Sequence, residues 1–262
     1  MSSVSTDSSS TSPSKNKVKR RGLMVRVGID ASFGRWNAPV DADTGAFIYV
    51  PIPESQKNRP QMARHYREVK PCLAEFGTPL PAHLSRTRMH LDPDFDFLSY
   101  GDMSRKGKRI AQLCEDDLIA FYAGLRDKHS GDLVYALIGL YVVDHIQAAT
   151  ALTSGQQAKN AHSRCVLSTD ADDIVVWAKP KLSGRLQQAI PIGSRRAARS
   201  NPTGTPVYRV LPELLEAWGN LSNNDGYLQR SAVPPEFNDA ERFYRWFQAQ
   251  SPTLLASNGW DI

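Results

Sequence analysis

Four residues spaced by two stand out in this 262-residue sequence: His90, Asp92, Asp94 and Asp96. In an extended segment alternate side chains point the same way, so these four would share one face. A histidine with two or three carboxylates suits a hard or borderline divalent ion, or general acid–base chemistry. Pro93 interrupts the run, however, and Asp-Pro pairs commonly open turns in which the carboxylate caps local amides. From residue types alone both readings stand. His90, Asp92, Asp94 and a more distant His162 are the candidates for catalysis, and no metal or cofactor is assigned.

A second polar group lies at Asn160, His162 and Arg164. Amide and imidazole groups can read the edge of a base, and an arginine can contact phosphate. A third group, Asp30, Ser32 and Trp36, sits in a loop of the kind that lines pockets, where an indole can stack on a base. Tyr122, beside Gly124, completes the candidate pocket or else packs the core.

Charge is unevenly spread. Five basic residues between Lys15 and Arg21, against Asp7, give the first 22 residues +4 of the net +5. Between Ile174 and Pro212 there are seven basic residues and no acid: Lys179, Lys181, Arg185, Arg195, Arg196, Arg199 and Arg209. A basic stretch interleaved with Gly, Ser, Asn and Pro fits a polyanion partner, and all but Arg209 are taken with Arg164 as candidate phosphate contacts. The opposing reading is a solvated loop balanced by Asp170, Asp172 and Asp173.

These groups must be positioned by the apolar runs Leu118–Leu125 and Leu133–Val143, joined by the turn-rich segment 126–132. The pattern predicts an antiparallel hairpin. Neither run alternates polar with apolar residues, so both strands should be covered on both faces. Gly124 and Gly139 suggest close backbone approach. Further strands are expected at 24–30, 47–51, 164–167 and 174–178, and helices near 61–68, 106–113 and 211–218. A last helix should begin at Asn238, with Glu241 completing a capping box and Phe243, Trp246 and Phe247 on its inner face.

The expected architecture is α+β, with a mostly antiparallel, barrel-like sheet and flanking helices. Residues 1–22 should form a disordered basic tail and residues 23–262 a single domain. With 41% hydrophobic and 23% charged residues, the chain reads as an ordinary globular protein. Its longest apolar run is well short of the roughly 20 residues a membrane helix needs. Three widely spaced cysteines, Cys72, Cys114 and Cys165, read as reduced, packed thiols of an intracellular protein, cytoplasmic or nuclear. No P-loop, GxGxxG, HExxH or zinc-finger spacing is present, which argues against the enzymes those motifs mark.

Several phrases in order resemble the nucleotide modification associated domain family, type three. They run from Val27–Ser32, Tyr49–Pro53, His90–Asp94 and Tyr100–Asp102 through Asp117–Leu125 and Ile138–Gly139 to Asn160–His162 and Leu228–Ser231. The segment Ala31–Gly34 departs from the more glycine-rich loop expected there. A weaker likeness is to PUA-like and EVE modules, through Asp117, Phe121, Tyr122 and the phrase starting at Ile138. These resemblances imply a barrel-like fold and a function in recognising or processing modified nucleotides or nucleic acid. The alternative is an enzyme acting on a nucleotide or base through the His/Asp cluster. The resemblances imply a nucleotide or nucleic-acid partner, while the short apolar runs argue against a membrane.

Overall fold

The computed structural model describes residues 19–196, 207–228 and 233–260. The two apolar runs form the expected hairpin, Leu118–Asp127 and Leu133–Ala148, paired from Leu118 opposite Val142 to Arg126 opposite Leu133 with one register shift between Phe121 and Tyr122. Strand alternation sorts its side chains onto two faces. Ile119, Phe121, Ala123 and Leu125 enter one core, with Phe95, Tyr100 and Tyr141. Leu118, Ala120 and Tyr122 enter a second, with the helices Pro212–Trp218 and Ala240–Ala249. Each run is continuously apolar because water is excluded from both sides.

The long strand Leu133–Ala148 organises the rest. Its first half pairs with Gly184–Pro191, which pairs in turn with Leu254–Leu255. The register shifts between Val143 and His145, and the second half pairs with Ile174–Ala178, which carries Ser99–Asp102 on its far edge. On the other side of the hairpin, Gly22–Arg26 and Pro39–Val40 run parallel to Leu118–Asp127. The eight-stranded sheet thus ends at Gly22–Arg26 and Leu254–Leu255, and no ladder among the described residues joins those ends. The expected barrel is therefore not closed: the architecture is mixed, with a large, mostly antiparallel open sheet and a few helices.

Local departures from the expected elements have plain causes. The chain at 47–51 makes one bridge to Val40, and the strand there is only Ile52–Pro53, which pairs with Arg88–His90. The segment 61–68 holds the two-residue strand Arg64–His65 and a single 3-10 turn, followed by the helix Lys70–Glu75. Residues 161–164 are helical because Asn160 caps them, so the strand expected at 164–167 is reduced to one bridge from Cys165 to Asn58. The last helix is capped by Asp239 rather than Asn238, its carboxylate accepting from the Arg242 N–H. Cys72 and Cys165 are buried as expected, whereas Cys114 is exposed.

Residues 19–22, expected in the tail, are among the described residues. Gly22 already belongs to the first strand, and the Arg21 N–H donates to Asp117. Residues 1–18, most of the expected tail, lie outside the described residues. Among the described residues no helix is long and apolar enough to cross a membrane.

Gly139 sits where the hairpin is most tightly packed. A Cβ there would lie 2.7 Å from Phe95 Cε1 and 2.9 Å from the Gly184 carbonyl oxygen. Because backbone and a core ring both stand in the way, Gly139→Ala should destabilise the protein by roughly 1–3 kcal/mol. Urea denaturation measures this as a lower midpoint at unchanged slope. A variant as stable as the parent would contradict the close approach.

Candidate active site

His90 ends the strand Arg88–His90, directly opposite Ile52, which places Glu54 beside its ring. His90 Nδ1 is 2.8 Å from Glu54 Oε2. The chain then turns at the cis Asp92–Pro93 bond and closes a tight loop, in which Asp94 and Ser99 exchange backbone hydrogen bonds. The run His90–Asp96 is therefore not extended, and its four polar residues do not share one face. His90 and Asp92 face a cavity, Asp94 points inward, and Asp96 accepts from the Asn258 N–H.

His162 comes from the other side, on the short helix Ala161–Arg164. The fully buried Asn160 accepts from the His162 N–H through its carbonyl oxygen and so caps that helix. With its amide group it donates to Asp92 Oδ1 at 3.1 Å and to Ser99 Oγ at 3.2 Å. Gly101 N–H donates to the same Asp92 oxygen at 2.8 Å. Asp92 Oδ2 is left 3.7 Å from His162 Nε2. His162 Nδ1 is held by Asp173, and the two imidazoles meet edge to face with centroids 4.9 Å apart. Gly101 is required beneath them, since a Cβ there would come within 2.4 Å of the His162 ring.

Thus His90, Asp92 and His162 converge on one cavity of about 450 Å³, whose wall also includes Glu54, Tyr100, Lys106, Cys165 and Asp173. Burial pushes the Asp92 carboxyl up to about 7, against the opposing influence of His90 and the Gly101 N–H. Burial also acts to raise Glu54, but the hydrogen bond and charge of His90 outweigh it and hold that carboxyl at about 2. Burial, with Glu54 nearby, pushes the Cys165 thiol up to about 12. Cys165 is therefore a protonated donor to Glu54, not a nucleophile.

Other expected site residues are placed elsewhere. Asp94 and Arg164 are paired with each other, 0% and 3% exposed, and Asn258 donates to the second Asp94 oxygen. Arg164 is thus turned to the interior and held by Asp94. Arg185 is likewise buried, donating to the Ser257 and Leu186 carbonyls beneath the Phe47 ring. Lys179 is bound by Glu115 and Asp116. Lys181 is exposed. Arg195 and Arg196 lie on the strand Gly193–Arg196, and Arg199 lies outside the described residues.

Asp30 caps its own loop by accepting from the Ser32 and Phe33 N–H groups and pairs with Arg26. Ser32 is exposed, Trp36 packs on the first core and Tyr122 belongs to the second. None of Asp30, Ser32, Trp36 and Tyr122 lines the cavity.

Glu54 and Asp173, which orient the two histidines, were not singled out by residue type. Glu54 directly follows the Tyr49–Pro53 phrase, and Asp173 directly precedes the strand Ile174–Ala178; those positions are the only sequence cues.

The fold and site define a mixed α/β protein with a histidine–carboxylate pocket at the meeting of a short ladder, a sheet edge and a capped turn of helix. The chain belongs to the family described as nucleotide modification associated domain 3, whose model matches residues 21–237. Comparison with curated proteins and with solved structures gave no match.

Asp92 and His162 each lie two residues before a member of the buried Asp94–Arg164 pair. Removing one partner leaves an uncompensated buried charge, so Asp94→Ala should cost roughly 3–5 kcal/mol. Replacing both, as Asp94→Leu with Arg164→Met, should recover much of that loss, because no lone charge remains. Chemical denaturation of the three proteins decides it; a single variant within about 1 kcal/mol of the parent would show the pair to be dispensable.

Proposed function

We propose that this protein recognises or processes a modified nucleotide, held in the cavity that His90, Asp92 and His162 share. The convergence of these three residues from separate parts of the chain carries the reading. Walls that mix polar and apolar groups and a volume of about 450 Å³ suit a small ligand with both kinds of surface better than an extended surface contact. The name of the family supports a nucleotide as that ligand.

Phosphate contacts belong in this reading to Lys181, Arg195, Arg196 and Arg199. Lys106, in the cavity wall but paired with Asp102, adds positive charge nearby. The likeness to PUA-like and EVE modules is confined to the hairpin around Asp117, Phe121 and Gly139, since the sheet is open. An enzyme is the second reading, favoured by one observation: the Nδ1 of both histidines is engaged by a carboxylate, which leaves the Nε2 atoms for chemistry.

Titration of the protein with a panel of modified and unmodified nucleotides tests the proposal. At least one modified member should bind, and His90→Ala should weaken it about tenfold or more, equivalent to 1.4 kcal/mol. His90 is partly exposed, so this variant should keep its fold. A panel without binders, or affinity untouched by His90→Ala, would sink the proposal.

A further inference from the structure

We propose that His90, Asp92 and His162 bind a divalent first-row transition-metal ion, one donor atom from each, with the remaining coordination positions open to the cavity. This deepens the pocket reading by naming what the pocket holds, and its test uses no nucleotide, so either idea can fail alone.

Three independent anchors support it. An ionised carboxylate has no proton to give, so His90 Nδ1 must donate to Glu54 and His162 Nδ1 to Asp173. In the neutral form of each ring this is the tautomer whose Nε2 carries the lone pair, and a metal ion would displace any proton held there. A carboxylate on the far nitrogen is the usual outer partner of a metal-bound histidine, orienting the ring and raising its basicity. The third anchor is on Asp92: Gly101 N–H and Asn160 both hold Oδ1, and Oδ2 is left facing His162.

The spacing supports a shared ligand rather than a hydrogen-bonded pair. Asp92 Oδ2 and His162 Nε2 are 3.7 Å apart, too far for a hydrogen bond. Two donors each about 2.1 Å from one ion lie roughly 3.0–4.2 Å apart, and that distance falls within this span. One donor atom from each of the three residues lies within 4.8 Å of the others, so small side-chain rotations bring the set onto one centre.

Two imidazoles and a carboxylate select zinc, iron, manganese, cobalt or nickel over the oxygen-seeking calcium and magnesium. The Cys165 thiol, engaged with Glu54, is not part of the set. A second group, Asp41, Asp43 and His129, differs in kind: Asp43 and His129 are exposed, and Asp41 is already bound by Lys128.

The test is calorimetric titration of the full chain, stripped with chelator, using Zn²⁺ or Co²⁺ alone. The expected result is one tight equivalent, and for Co²⁺ visible d–d bands without a thiolate charge-transfer band. Asp92→Asn keeps the Oδ1 acceptor for Gly101 and should weaken binding beyond the about 10–100-fold expected of the outer-partner variants Glu54→Gln and Asp173→Asn. Circular dichroism checks that each variant is folded. If Asp92→Asn is not, His90→Ala takes its place with the same expected loss. No tight equivalent in the parent, a thiolate band, or full affinity in the folded variants would overturn the proposal. Full affinity would assign the metal to the Asp41 group or another surface site.

Discussion

The buried ion pair between Asp94 and Arg164 is the constraint on which the site depends. It joins two segments far apart in sequence, the turn after His90 and the capped helix after Asn160, and Asn258 ties the C-terminal segment to the same carboxylate. Burying such a pair offers little net stability, because desolvation cancels most of the attraction. What it provides is position. Asp92 and His162 are each two residues from a member of the pair, so the charge contact sets their separation, and Asn160 repeats the bond between the same two segments.

Around that joint the hairpin acts as a wall with a core on each side. One core, built on Phe95, Phe121 and Tyr141, supports the turn that carries Asp92; the Tyr141 hydroxyl donates to the Asp94 carbonyl. The other, built on Trp218, Phe237 and Phe243, holds the helices against the opposite face. The side chains of the site therefore rest on packed strands and a capped helix rather than on free loops. Such support keeps functional groups in place without help from the ligand.

The hairpin was legible because two uninterrupted apolar runs can be stable only when both faces are covered, and Gly139 was legible as a close approach. Closure into a barrel was not legible: it depends on whether the edge strands Gly22–Arg26 and Leu254–Leu255 meet, and no local pattern specifies that. In the site, His90, Asp92 and His162 could be read from residue type and from the family phrases. Asp94 was misplaced because alternation presumes an extended chain, and the chain turns at Pro93. Arg164 and Arg185 were misplaced because a charge count treats every cation as solvated, whereas these two satisfy buried acceptors. Glu54 and Asp173 were missed because their partners are set by strand pairing and a helix turn.

The fold holds the His90 and His162 rings by Nδ1 and brings both rings to one cavity. Imidazole nitrogen NMR of the metal-free protein in slightly alkaline buffer tests this arrangement most directly, with His90→Ala and His162→Ala samples assigning the signals. Both rings should show a protonated Nδ1 and a bare Nε2. A protonated Nε2 on either ring, with Nδ1 bare, would show that the carboxylates do not hold the rings in this way.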